Sequence, residues 1–241
     1  MCGRFQLIAP VEALRRLFGV NQRPNLAARY NIAPTQATAA VRLDPAGGRE
    51  LAMLRWGLIP SWAKDMAIGA SLINARAESV AEKPSFRAAF QKRRCLVPAD
   101  GFYEWKGEGK TKQPFLIARR DGATFAFAGL WERWQGRDKD GPSAIESFAI
   151  VTTDANDTLK PIHHRMPVIL DRRDHAAWLD IENARAGELL KPAPDDTLAA
   201  VPVSTRVNAV RNDDAGVMEP VEIVTEKTSA PKSASLQGEL F

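Results

Sequence analysis

Ala37–Leu43 (ATAAVRL), Asp44-Pro45-Ala46-Gly47-Gly48 and residues 50–56 (ELAMLRW) read as a strand, a turn and a second strand. The flanks are short apolar runs. Between them Pro45 presets its own φ and the glycine pair accepts positive φ, so the chain reverses there. A hairpin at this point sets the fold class, because the same pattern recurs outward in both directions.

Residues Gly101–Lys106 and 113–118 flank Gly107-Glu108-Gly109-Lys110, and residues 124–134 and 147–153 follow, each bounded by Gly or Asp. Helices are a minority. Val11, Leu14, Leu17 and Phe18 recur at helical spacing after Pro10, and shorter helical pieces are expected over residues 85–91 and 171–181. Strands joined by short turns, with few helices, predict an α+β fold: a curved mixed or antiparallel β-sheet forming a partly closed barrel with peripheral helices. There is no internal repeat. Residues 1–224 read as one domain and 225–241 as a small, polar, flexible tail.

Composition bounds the partners. Of 241 residues 45% are apolar, enough for a real core, and the net charge is only +4, which admits nucleic acid without requiring it. No apolar run is long enough for a membrane span, and no signal segment opens the chain, so a cytoplasmic, nucleoid-associated protein without a membrane partner is expected. Two cysteines make no disulfide framework and fit a reducing compartment. Cys95, in Cys95-Leu96-Val97-Pro98, reads as a small buried hydrophobe. Cys2 differs, because chain ends seldom bury a thiol.

Met1 precedes a small residue and is readily removed, which leaves Cys2 with an α-amine and a thiol on adjacent carbons. With reference pKa values of about 7.7–8.0 for the amine and about 8.5 for the thiol, part of the amine is uncharged near neutrality and attacks an aldehyde. The imine lies within reach of the thiol, and closure gives a five-membered thiazolidine at high effective molarity. Taken alone, a cysteine after the initiator is a common accident.

Other segments carry candidate chemistry. In the extended segment Ala99-Asp100-Gly101-Phe102-Tyr103-Glu104-Trp105-Lys106, Glu104 shares a face with Phe102, and its aromatic surroundings desolvate the carboxyl and suit it to general-acid work; the competing role is a rim glutamate paired with Lys106 or an arginine. In Pro161-Ile162-His163-His164-Arg165, two adjacent histidines on an extended chain point opposite ways, so one at most serves a given site. No metal-ligand spacing is present, and proton transfer is the better role. Asn74 orients a substrate or caps a helix, and Arg76 binds phosphate or pairs with Glu78. Lys83, Arg87, Lys92, Arg93 and Arg94 form a basic run without an acid, a solvated face or, with the aromatic Trp62, a groove for a single strand.

These motifs, in this order, resemble the SOS-response-associated peptidase family, the SRAP domain of abasic-site-processing proteins. The resemblance is carried by Met1-Cys2-Gly3-Arg4-Phe5, Arg29-Tyr30-Asn31-Ile32-Ala33-Pro34, Arg55-Trp56-Gly57-Leu58-Ile59-Pro60, Asn74-Ala75-Arg76-Ala77-Glu78, Pro98 to Trp105 and Ile162-His163, and spans residues 2–222. It implies a protein that senses abasic sites in single-stranded DNA, or at junctions of single and double strands, and joins them covalently. In that scheme Cys2 is the nucleophile, Glu104 its acid/base partner and an agent of Met1 removal, Asn74 the residue that holds the cysteine and the sugar, and His163 an aid to ring opening and crosslink reversal. Arg4, Trp62, Arg76, Arg87 and Arg165 become expected DNA contacts. No metal or other cofactor is expected. Where the family often has an acid after its histidine, this chain has His164, which removes a neighbour that would favour the imidazolium and leaves open an exchange of roles between the two histidines.

Two other classes remain open on the residues themselves: a peptidase with an N-terminal cysteine nucleophile, and a non-covalent single-strand binder. The tail adds a partner. Its end, Gln237-Gly238-Glu239-Leu240-Phe241, resembles the Gln-x-x-Leu-Phe peptide by which bacterial proteins dock on the replication sliding clamp, with Gln237 at a pocket rim and Leu240 and Phe241 buried.

Overall fold

The computed structural model describes residues 2–222 except 108, 110, 111, 139 and 140. The tail with Gln237, Leu240 and Phe241 lies outside the described residues. Among the described residues there are thirteen strands and three α-helices: β1 (Phe5–Leu7), α1 (Val11–Phe18), β2 (Arg29–Ile32), β3 (Ala37–Leu43), β4 (Arg49–Trp56), β5 (Asn74–Arg76), α2 (Arg87–Lys92), β6 (Arg94–Ala99), β7 (Gly101–Lys106), β8 (Gln113–Arg119), β9 (Phe125–Asp138), β10 (Gly141–Asp154), β11 (Arg165–Pro167), β12 (Ile169–Leu170), α3 (His175–Leu179) and β13 (Leu198–Pro202). The fold is α+β, as expected, and its centre is a five-stranded mixed barrel.

The barrel forms from the hairpin outward. β4 pairs antiparallel with β3, β3 with β6 at Val41↔Leu96, β6 with β9, and β9 with β10. β10 then returns to β4 in parallel, Ser147↔Arg55 and Phe148↔Trp56, which closes the ring. Closure needs one tight approach: a Cβ at Gly129 would stand 2.7 Å from the Cys95 sulfur and 2.8 Å from Val97, so only glycine fits there. β9 and β10 each run fourteen residues, longer than the sequence pattern predicts, and their outer halves project past the ring as an arm.

β6 is the central strand that the sequence reading missed, because its first residue belongs to the basic run. Arg94 is buried, and its guanidinium donates to the carbonyls of Phe90, Trp178 and Asp180, closing the end of α3. Arg93 pairs with Glu132 at 2.6 Å. The basic run is therefore split, with Lys83, Arg87 and Lys92 exposed and the other two residues used inside the protein.

A second, antiparallel sheet orders as β13-β8-β7-β1-β2. Phe5 locks it to the barrel, with ring centroids 5.1 Å from Trp56 and 5.8 Å from Phe127. Helix α1 matches its predicted span and buries Leu14 and Phe18. Gly19 follows it in the left-handed region and donates to the Arg15 carbonyl, the usual way a helix stops. No helix among the described residues is long and apolar enough to cross a membrane.

Candidate active site

Strand register brings the first residues to Glu104. Phe5 lies opposite Phe102, and the Tyr103 N–H donates to the Arg4 carbonyl at 2.9 Å, so the same antiparallel register carries the chain start past Glu104. Tyr103 packs into a small cluster with Trp105 on one face of β7, while Phe102 faces the main core, so the predicted alternation holds. Glu104 is buried, with Oε1 3.4 Å from the Trp105 N–H.

The expectation that a thiol at a chain end stays unburied is overturned: Cys2 is fully buried within the main core, and its thiol lies 3.9 Å from the Arg4 carbonyl. Burial, and after it the charge of Glu104, hold the thiol well above its ordinary range. A neutral thiol in contact with a carboxylate's field keeps its proton until an electrophile arrives.

Asn74 reaches the same point by another route. β5 pairs in parallel with β10, Ile150↔Asn74 to Thr152↔Arg76, directly beyond the segment of β10 that β4 covers. From there Asn74 Nδ2 donates to the Cys2 carbonyl at 2.8 Å. Its Oδ1 is buried without a hydrogen-bond donor among the described residues, so one acceptor faces the site unused. Asn74 holds the cysteine rather than capping a helix.

His163 completes the cluster. The expectation that the two histidines point apart is overturned: their rings stack at 4.4 Å and 23°. The chain is a turn there, not a strand, with the His163 N–H donating to the Leu159 carbonyl, so the alternation of extended chain does not apply. Nδ1 of His163 accepts from the Arg165 N–H at 2.9 Å. Burial depresses its pKa, the Glu104 charge opposes that shift, and His164 adds to the depression. Cys2 and His163 thus both sense the same carboxylate.

The expected DNA contacts divide. Trp62, Arg76 and Arg87 are exposed. Arg165 is buried, its guanidinium held by Glu78 at 2.5 Å, Asp154 at 2.8 Å and the Thr152 carbonyl at 2.7 Å, so two carboxylates already meet its charge. Glu78 therefore pairs with Arg165 and not with Arg76. Arg4 is half-buried and donates to Asn31 Oδ1 and to the Val207 carbonyl, both at 2.8 Å, with burial lowering its pKa.

The SOS response associated peptidase (SRAP) model matches residues 1–210. The chain belongs to the SRAP family. Among curated SRAP relatives, abasic site processing protein YoaM of Bacillus subtilis is 41% identical over 226 residues, covering 91% of this chain and 98% of that one. YoqW of the same organism is 40% identical with 91% and 99% covered, and HMCES of Gallus gallus is 34% identical with 74% and 60% covered. A solved protein from Bacteroides thetaiotaomicron superposes with a TM-score of 0.81 at 29% identity, covering 92% of this chain and all of that one.

Within this SRAP domain Arg4 is held through Asn31, a residue with no predicted site role. Asn31 is fully buried, and its Nδ2 donates to the carbonyls of Val207, Ala209 and Asn212. Asp213 accepts from the N–H groups of Tyr30 and Asn31 and pairs with Arg29. The segment after β13 is thereby fastened to β2, and β2 to the strand that presents Cys2. Asn31 stood in a quoted motif, but its partners lie about 180 residues away, beyond the reach of local pattern.

Proposed function

We propose that this SRAP protein processes abasic sites in single-stranded DNA by forming a thiazolidine crosslink through Cys2 after Met1 is removed. The observation that carries the reading is the convergence of Cys2, Asn74, Glu104 and His163, from four separate segments, on the chain start. The names of the relatives, abasic site processing proteins, support the same substrate.

The chemistry follows from the groups present. The Cys2 α-amine adds to the aldehyde carbon of the ring-opened sugar. Loss of water gives an imine, with Glu104 delivering and removing the proton. The thiol then adds across the C=N bond: sulfur bonds to carbon and its proton ends on nitrogen, so atoms balance without an oxidant. A thiol kept neutral by burial leaves the first attack to the amine and supplies that proton in the second step. Asn74 holds the Cys2 carbonyl so that the amine is aimed, and its free Oδ1 is suited to a sugar hydroxyl. His163, kept neutral, assists ring opening as a base. Glu104, buried beside the chain start, is also the group placed to assist Met1 removal. Trp62, Arg76 and Arg87 offer stacking and phosphate contacts, while Arg4, already held by protein groups, contributes positive potential at the mouth and Arg165 is paired with Glu78 and Asp154.

Incubation with abasic and intact oligonucleotides, followed by a denaturing gel, tests the reading. A retarded band with abasic DNA alone supports it. Peptide cleavage without a band favours a peptidase, and binding lost on denaturation favours a non-covalent binder. A further proposal concerns partners: Gln237, Leu240 and Phe241 dock on a sliding clamp and deliver the domain to replication forks at raised local concentration. Equal retention on immobilised clamp of the full chain and of one lacking the last five residues would refute it.

A further inference from the structure

Trp62 is the most exposed large apolar side chain among the described residues, at 58%. On a loose loop, much of what a base gains by stacking on it would be lost to ordering the loop. The loop is not loose. The Ala63 N–H donates to the Pro60 carbonyl at 2.9 Å, which closes a turn with Trp62 in its third position. The Ala63 carbonyl accepts from Trp134 Nε1 at 2.7 Å. Both polar groups of the residue after Trp62 are thus engaged, and the Ile59 N–H is tied to Ser147 Oγ on β10 at 2.8 Å.

Trp134 stands on the projecting arm, where β9 has passed the end of β6 and pairs only with β10, Trp134↔Ile145. It is nevertheless fully buried, in an apolar cluster separate from the main core made with Ile59 and Ala63 and flanked by Met66, Ile68 and Ile145. The indole lies flat along its own strand. A Cβ on Gly136 would stand 1.9 Å from the Trp134 ring, so the glycine two residues on is what gives the ring its place. The arm therefore carries a side chain whose burial and whose N–H both act on the loop that presents Trp62.

We infer that the arm is a brace for DNA recognition: Trp134, seated over Gly136, is a positioning residue that holds Trp62 as a preformed platform for a nucleobase of single-stranded DNA. This rests on the reading that the protein engages single-stranded DNA, and the test separates the two. Crosslinking rates are measured against concentration of an abasic oligonucleotide for wild type, Trp62→Ala, Trp134→Phe and the double variant, alongside capture of the small aldehyde glycolaldehyde followed by mass. Base–aromatic stacking predicts a rise of about 5- to 100-fold in the half-saturating DNA concentration for Trp62→Ala. Trp134→Phe, which keeps an apolar ring but lacks the N–H, raises it about 3- to 10-fold at unchanged maximal rate and unchanged glycolaldehyde capture. In the double variant Trp134→Phe adds nothing, because there is no platform left to hold. Additive effects, or a lowered maximal rate, overturn the brace. A Trp62→Ala variant that behaves as wild type overturns the platform itself. Should Trp134→Phe fail to fold, Gly136→Ala displaces the ring from the other side, and a normal half-saturating concentration in that variant overturns the brace equally.

Discussion

The candidate site and the packed core around β6 and α3 each hold a cysteine and a histidine whose pKa values burial shifts, Cys2 with His163 and Cys95 with His175. At the mouth, Cys2 is raised and His163 depressed; inside, Cys95 is raised and His175 depressed, each chiefly by desolvation. What differs is the company. Cys2 and His163 both feel Glu104, and Asn74 grips the Cys2 carbonyl. Cys95 faces Gly129 across β6 and β9, and His175 stacks on Phe18 at 5.5 Å. A shifted pKa marks burial in both places. Reactive chemistry is indicated only where a carboxylate and an orienting amide converge on the shifted groups.

Exchanging the cysteines should break the comparison most sharply. Cys2→Ala removes the thiol that closes the ring, so the heat-stable adduct should vanish on a denaturing gel and only an imine trapped by borohydride should remain. Cys95→Ala should crosslink within about twofold of wild type and cost about 1–2 kcal/mol of folding stability for the lost packing, read from urea unfolding. A heat-stable adduct formed by Cys2→Ala without reductant would remove the thiazolidine mechanism.

Next in size is the carboxylate that distinguishes the two regions. Glu104→Gln keeps shape and removes proton transfer, so crosslinking should slow by about 10²–10⁴ while affinity for intact single strands is retained. Unchanged rates in a folded variant would reduce Glu104 to a structural residue and leave the mouth no different in kind from the interior.

Legibility in the sequence followed the range of the interactions. The hairpin of β3 and β4 is visible because a turn of five residues joins two apolar runs, and α1 because its apolar spacing is periodic over eight residues. β6 was hidden because Arg94 reads as solvent-facing charge, and only the carbonyls of α3, some 85 residues on, show otherwise. Cys2, Asn74, Glu104 and His163 were singled out by residue chemistry and a family resemblance, not by any pattern that shows them meeting. Their meeting depends on β1 lying beside β7 and on β5 extending the parallel edge of β10, both properties of topology. The pairing of Glu78 with Arg165 and the stacked histidines were missed for the same reason: a local rule was applied where the chain turns.

The histidine of the mouth offers a finer test through pH. Its pKa lies below the ordinary 6.5, so His163 remains a neutral base to lower pH than a free histidine. The acid limb of the crosslinking rate that His163→Ala abolishes should therefore lie below pH 6.5. Replacing the stacked neighbour, His164→Asp, puts a carboxylate where a second imidazole now opposes protonation, and should move that limb upward. A limb that stays in place would mean that His164 does not govern the protonation of His163.

The smallest effect belongs to the histidine of the interior, and it concerns stability alone. His175 is 3% exposed, and burial holds its pKa below the unfolded value of 6.5. Between the folded and unfolded pKa values the unfolded chain binds the extra proton, so stability rises with pH across that window. The contribution is fully present above about pH 6.5 and is lost as pH falls through the folded pKa. Thermal unfolding at pH 7.5 and pH 5 should thus show a decline that His175→Phe reduces, since that ring keeps the stack on Phe18 and has nothing to protonate. The contrast with His163 makes the measurement informative. His163→Ala should alter the pH profile of crosslinking, whereas His175→Phe should alter the pH profile of stability and leave that of crosslinking in place. If His175→Phe shifted the crosslinking profile instead, the two regions would be coupled, and the division between a reactive mouth and an inert interior would fail.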